Sequence, residues 1–368
     1  MAIQLFVPTF AVEECLAEIR QCGIGYKTVE FEAAWCEYAE LPHAHFLNSA
    51  TAGLHLALNI FKEQEDWEDG DEVITTPVTF VSTNHAILYE RLRPVFADVD
   101  EYLCLDPDDV EQKITDRTRA VMFVGMGGST GQLSRIAELC RRRKLRLILD
   151  AAHMAGTRLN GQTPVGDATV FSFHAVKPLP TGDAGMICFE NAALDAISRK
   201  KSWLGIDKDT YSRTVSRESG YRWRYDVDSV GFKYHGNSIM AAIGLVQLRY
   251  LDRNLAYRRE LSGWYDDGFR NRGRIGVIPS PPHCVSARHL YQIEVANRDD
   301  MIVALNKQDI FPGVHYRDNR DYRMFRQQSD TCPNATRMSS RIISLPLHLR
   351  MSRADVAEIV DAVTTYTQ

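Results

Sequence analysis

The residues from Leu145 to Lys177 constrain this chain more than any other stretch. An apolar run, Leu145-Arg146-Leu147-Ile148-Leu149, ends in an acid, Asp150. Ala151-Ala152-His153 follow, the chain turns at Asn160-Gly161, and a second apolar run spans Ala168 to Phe173. Lys177 comes shortly after, closed off by Pro178 and Thr181-Gly182-Asp183-Ala184-Gly185. Short apolar runs bounded by turn residues read as buried strands. An acid at the end of one such strand and a lysine just past the next lose hydration there, so each requires a partner.

Burial lowers the pKa of a lysine and makes its amine a usable nucleophile or base. A cofactor with a cationic ring nitrogen and an aldehyde satisfies both residues. The acid keeps the ring nitrogen protonated, and the amine condenses with the aldehyde. Pyridoxal 5′-phosphate (PLP) is that cofactor, and a lysine with an acid at the pyridinium nitrogen is its usual protein environment.

The residues before Asp150 alternate strand and helix. Strands are predicted at His45–Leu47, Glu72–Thr76, Pro94–Val99 and Ala120–Val124. Helices are predicted at 11–21, 28–40, 54–61, 81–89, 105–114 and 134–144, with a break at Gly23-Ile24-Gly25. Such alternation predicts a largely parallel sheet covered by helices, with ligands bound beyond the carboxyl ends of the strands. Asn48–Ala52, Phe80, Asp150 and Lys177 all fall just past strand ends, so one shared pocket is expected. The small residues Asn48-Ser49-Ala50-Thr51-Ala52-Gly53 open a helix. They read either as a phosphate seat on free N–H groups or as an ordinary N-cap.

After a strand at 186–189 and a helix at 194–204, residues 205–228 are polar and aromatic, with Tyr211, Tyr221, Trp223 and Tyr225, and read as a long loop. A long helical pattern runs from Ser238 to Phe269, a length that bridges domains, lines a subunit interface or packs within one domain. Tyr291–Val295, a helix near 299–308, Gly313–Tyr316, Ile342–His348 and a helix at 353–364 suggest a small α+β unit. At 368 residues the chain predicts two domains, 1–240 and 241–368.

The net charge of −5 gives no basic footprint for nucleic acid. No apolar run reaches membrane-spanning length. The first residues lack the basic start and apolar core of a signal peptide. Eight cysteines show no metal-type spacing, so no metal site is expected. A cytoplasmic location is the simplest expectation.

Five blocks in order carry a family resemblance: NSATAGLHLAL (48–58), GDEVITTPVTFVSTNHAI (70–87), LILDAAHMAGT (147–157), FSFHAVKPLPTGDAGM (171–186) and GFKYHGNSIMAAIGLVQL (231–248). GVHY (313–316) and SLPLH (344–348) add to it. From about residue 10 onward the chain resembles the DegT-type sugar aminotransferases, fold-type I PLP enzymes of the aspartate aminotransferase-like class. The resemblance implies a large, mostly parallel-sheet domain and a smaller C-terminal α+β domain. It implies transfer of an amino group from an amino acid, L-glutamate by analogy, to a nucleotide-linked keto sugar, by a homodimer with shared active sites.

By position, Lys177 corresponds to the Schiff-base lysine and Asp150 to the acid on the pyridine nitrogen. His153 corresponds to the residue beside the ring hydroxyl, and Phe80 to the aromatic stacked on the ring. Thr51, Ala52 and Ser172 match the family's phosphate contacts. Lys233 matches a residue, more often Asn, that reaches the phosphate in the neighbouring subunit. Without the resemblance, His153 reads better as a satisfied core histidine, and Phe80 reads equally as core. His315 and Tyr316 read as substrate contacts or as loop support. Three features depart from the family. Gly125-Met126-Gly127-Gly128 replaces a loop that usually carries His and an aromatic, Asp183 stands for Glu, and Ala50 stands for Gly. Alternatives at this stage are amination of a non-sugar ketone such as a cyclitol, keto-sugar dehydration, and a regulatory module without turnover. The dehydratases of the family carry His where this chain has Lys177, and the intact Lys177, Asp150 and His153 speak against a module without turnover.

Overall fold

The structure, a computed structural model, describes residues 2–22, 26–207, 225–326 and 330–367. The expected break at 23–25 and Tyr211, Tyr221 and Trp223 of the expected loop lie outside the described residues. Eight described strands fall before residue 190: β1 (His43–Leu47), β2 (Glu72–Thr75), β3 (Arg93–Phe96), β4 (Thr118–Val124), β5 (Arg146–Asp150), β6 (Arg158–Leu159), β7 (Ala168–Ser172) and β8 (Gly185–Phe189). Seven of them form one sheet in the order β1-β8-β7-β5-β4-β2-β3. Strands β7, β5, β4, β2 and β3 pair in parallel, and β8 runs antiparallel to both its neighbours.

Side-chain alternation explains why the central strands β4 and β5 carry apolar residues on both faces. Val121 and Phe123 of β4 and Leu147 and Leu149 of β5 enter one core with Phe31 and Trp35 of helix α2 (Tyr26–Ala39). Ala120, Met122 and Ile148, pointing the other way, enter a second core with Leu54, Leu58 and Phe61 of helix α3 (Ala50–Gln64). A sheet buried on both faces leaves no polar face to its central strands. Helices α1 (Val12–Ile19), α4 (Ser82–Tyr89), α5 (Pro107–Gln112), α6 (Leu133–Arg143) and α7 (Ala192–Ser202) complete this part.

Helix α8 (Ser238–Phe269) has the predicted bounds. Asn237 caps it, its side chain accepting from the Met240 N–H at 3.0 Å. The first half of α8 buries Ala241, Leu251 and Leu255 in the core shared with α2. The second half buries Leu261, Tyr265 and Phe269 in a third core. That core is built on a small antiparallel sheet of β9 (Gly276–Val277), β11 (Tyr291–Glu294) and β12 (Ile342–Leu345). Strand β10 (Cys284–Val285) pairs with β6. Helices α9 (Arg298–Asn306), α10 (Pro333–Arg341) and α11 (Arg353–Thr367) follow, and no described helix is long and apolar enough to cross a membrane.

Some boundaries differ from expectation for local reasons. The predicted strand 94–99 stops at Phe96, because its neighbour β2 ends at Thr75 and leaves no ladder beyond. The helix predicted at 105–114 starts at Pro107, where Asp106 caps it by accepting from the Asp108 N–H at 3.0 Å. Helix α3 begins four residues before the predicted Leu54, at Ala50. Strands β6 and β10 were not expected, since each is only two residues long.

Candidate active site

The residues following β1, β2, β4, β5 and β7 converge on a cavity of ≈ 390 Å³. Ser49, Ala50 and Thr51 follow β1, and Thr79 and Phe80 follow β2. Val124, Asp150 and Ser172 end β4, β5 and β7. His153, Lys177, Asp183, His315 and Tyr316 close it. Of the sequence-predicted residues, Thr51, Phe80, Asp150, His153, Ser172, Lys177, His315 and Tyr316 therefore face one space.

Asp150 is 4% exposed, and burial raises its pKa. Two donors counter the lost hydration. Thr83 Oγ1 donates to Oδ2 at 2.7 Å, and the Ala152 N–H donates to Oδ1 at 3.1 Å. Thr83 is itself 2.9 Å from the Thr79 hydroxyl, so α4 fixes the carboxylate.

The Lys177 amine has its pKa lowered to about 8, chiefly by burial, with Asp150 pulling the other way. Its Nζ lies 3.5 Å from His289 Nε2. His153 is 4% exposed. The Gly127 N–H donates to its Nδ1 at 3.2 Å, and its Nε2 lies 3.3 Å from the Tyr316 hydroxyl. Burial holds the imidazole neutral, lowering its pKa well below the usual value. With Nδ1 accepting, the ring proton sits on Nε2. The glycine loop that departs from the family pattern thus fixes the tautomer of His153.

At the start of α3, Ser49 Oγ accepts from the Ala52 N–H at 3.1 Å, which is an N-cap. The N–H of Ala52 is therefore taken, while Ala50 and Thr51 lead the helix into the cavity. The N-cap does not preclude an anion seat, because Ala50 and Thr51, whose first-turn N–H groups have no intrahelical partner, line the cavity. Gly185 of β8 lets this turn approach the sheet: a Cβ there would meet Ala50 N and Ser49 C at 2.5 Å.

Phe80 is 58% exposed and its ring stands 6.0 Å from Tyr316. A large apolar ring left open at a cavity is a surface for a planar ligand. His315 Nδ1 is 2.9 Å from Ser344 Oγ, and burial lowers its pKa to about 4. Lys233 lies away from this cavity, its ammonium 3.2 Å over the Trp203 ring. Sequence reasoning missed Thr83 and His289, and it named Gly127 only as part of a loop that departs from the family. Thr83 lies inside the GDEVITTPVTFVSTNHAI block, the one signal that could have found it.

The donor set suits PLP. A buried carboxylate, a half-buried amine of lowered pKa, a helix N-terminus and an exposed ring share a cavity of cofactor size. Sheet order and pocket together define a fold-type I PLP-dependent transferase.

The chain belongs to the DegT/DnrJ/EryC1/StrS aminotransferase family, whose model matches residues 9–364. It is 35% identical over 357 residues to the spore coat polysaccharide biosynthesis protein SpsC of Bacillus subtilis, covering 92% of this chain and 89% of SpsC. The aminotransferase TlmJ from Streptoalloteichus hindustanus superposes with a TM-score of 0.91 at 30% identity, covering 99% of this chain and 98% of TlmJ. The PLP-form of Spr1654 from Streptococcus pneumoniae superposes with a TM-score of 0.90 at 26% identity, covering 100% and 99%. The protein is a PLP-dependent aminotransferase.

Proposed function

We propose that this aminotransferase moves an amino group from an amino acid, L-glutamate, to the ketone of a nucleotide-linked keto sugar, for amino-sugar biosynthesis. The observation that carries this reading is the Lys177 amine, with its pKa near 8, sharing one cavity with the carboxylate of Asp150. The sugar assignment draws on the polysaccharide role in the name of SpsC.

In this reading Lys177 bears the cofactor and Asp150 keeps its ring nitrogen protonated. Bound PLP supplies an aldehyde for the amino group and a ring that accepts electrons. His153 offers its Nε2 proton to the ring oxygen, and Phe80 covers the ring. The first turn of α3, with Thr51 and Ala52, and the Ser172 hydroxyl would hold the phosphate, Ala52 sharing its N–H between the phosphate and Ser49 Oγ. Lys177 Nζ, once free, would take a proton from the donor's α-carbon in one half-reaction and give one to the acceptor's carbon in the other, ending each half as it began. A base with a pKa near the working pH is suited to both transfers. His315 and Tyr316 contact the substrate. Lys233 reaches the phosphate of a second subunit, so the active form is a homodimer with shared sites. Residues 1–240 form the cofactor domain and 241–368 the small one. The eight cysteines are all free thiols, which supports a reducing, cytoplasmic setting.

The test is to incubate PLP-loaded protein and glutamate with nucleotide-linked 4-keto and 3-keto sugars and to detect products by mass. An aminated nucleotide sugar is expected. Amination of free cyclitol or other non-sugar ketones alone would sink the sugar assignment.

A further inference from the structure

His289 is neither a predicted site residue nor part of the cavity lining, yet it is the side chain hydrogen-bonded to the Lys177 amine. It is 1% exposed. Its ring lies between Phe6, stacked at 5.4 Å and 5°, and His153, at 4.3 Å. Its backbone is held as well. The His289 N–H donates to Gly127 O at 3.0 Å, and Arg258 donates to the preceding carbonyl of Arg288 at 3.4 Å. Gly127 is also the residue whose N–H fixes His153. One short loop therefore positions both imidazoles. Within that clamp Nε2 faces Lys177 Nζ at 3.5 Å, and Nδ1 has no partner among the described residues. A contact of that length is long for a hydrogen bond, and contacts in unloaded active sites commonly tighten when the site fills.

We propose that His289 is a positioning residue: neutral, protonated on Nδ1, it accepts a hydrogen bond from Lys177 through Nε2 and holds the amine whenever it is off the cofactor. This rests on the proposed role of Lys177. The freed lysine carries protons in both halves of the reaction, and a long, flexible side chain left without a partner would lose its direction. A neutral acceptor suits the task, because burial keeps His289 uncharged and it does not repel the ammonium. An acceptor also stabilises the charged amine, which offsets part of the desolvation that lowers its pKa. Other groups bear on the same amine or ring: Asp150 from β5, His153 and His315 across the cavity, and Arg258 from α8. Of these Asp150 alone is an anion, and its bonds are to Thr83 and Ala152.

The test reads Lys177 in the cofactor-free protein. Competitive labelling with an amine reagent across pH, with the Lys177 peptide quantified by mass, gives the midpoint of its titration. His289→Phe keeps the ring stack and removes the acceptor. The proton affinity of Lys177 should fall about tenfold, as for loss of one hydrogen bond to a charged group. His289→Gln, which returns an acceptor oxygen, should recover most of it. An unchanged or raised midpoint in folded His289→Phe would overturn the proposal. If that variant does not fold, ¹⁵N spectra of histidine-labelled wild type decide the tautomer: Nδ1–H is expected, and Nε2–H would overturn it. Borohydride treatment of the PLP-loaded wild type separates the two failures. If no cofactor is fixed to Lys177, the proposed role of Lys177 falls. If cofactor is fixed there and the midpoint does not move, only the role of His289 falls.

Discussion

Thr83 donates a hydrogen bond of 2.7 Å to Asp150 Oδ2, linking helix α4 to the end of strand β5 across 67 positions of sequence. Asp150 is buried, so this bond replaces hydration that the carboxylate has lost. In Thr83→Val the isosteric methyl removes the donor. A hydrogen bond to a charged group contributes about 1.5–3 kcal/mol. The protein should fold, hold PLP about tenfold more weakly by equilibrium dialysis, and carry an Asp150 with a still higher pKa.

The Lys177 pKa of about 8 sets a pH dependence. In the cofactor-free protein the free base rises through pH 8, so the rate at which Lys177 condenses with added PLP should climb about tenfold per pH unit below it and level off above. Stability of the cofactor-free protein follows the same group. Between pH 8 and the ordinary value of 10.5 the unfolded chain binds more protons at this site than the folded one, so stability rises with pH across that window. Below pH 8 both states are protonated and the contribution is constant. Denaturant melts of wild type and Lys177→Met at pH 8 and pH 10 should show the wild type gaining on the variant.

Lys177→Ala should remove the covalent attachment of PLP, seen as loss of a borohydride-fixed cofactor by mass. Turnover should fall by about a thousandfold or more, the scale of a lost acid–base group together with a lost nucleophile.

Gly185→Ala tests the packing behind the proposed phosphate seat. The new Cβ would lie 2.5 Å from Ala50 N and Ser49 C, backbone atoms that cannot rotate away. Overpacking of this kind costs about 1–3 kcal/mol. The melting temperature should drop, and affinity for PLP should fall because the first turn of α3 is displaced.

Sharing of sites between subunits is tested by mixing. Lys177→Ala and Lys233→Ala proteins should each be impaired alone. A refolded mixture should regain activity, because one site of each heterodimer then has both lysines. Recovery absent from a mixture shown to contain heterodimer would mean that Lys233 serves no neighbouring site.

Asp150 and Lys177 were legible because a charge at the end of an apolar run contradicts its surroundings, and that contradiction survives without coordinates. The parallel sheet was legible for a related reason: strands buried on both faces leave long apolar runs such as Leu145–Leu149. His289 was not. Arg288-His289-Leu290 has no pattern of its own, and its contact with Lys177 spans 112 positions. Thr83 looked like an ordinary helix residue, since a threonine's partner cannot be read from the threonine. The pairing of β6 with β10 stayed hidden because two-residue strands carry no alternation to detect. Lys233 could be located only by resemblance, and within one chain it rests on Trp203.

Helix α8 belongs to two cores at once, with Ala241 and Leu251 in one and Tyr265 and Phe269 in the other. At 32 residues it is a rod about 48 Å long, uninterrupted from Ser238 to Phe269. A rod anchored at both ends resists a hinge in its middle. The loop bearing His315 and Tyr316 is tied to the third core's sheet, His315 Nδ1 lying 2.9 Å from Ser344 Oγ of β12, so the rod holds those two side chains in the same frame as Asp150.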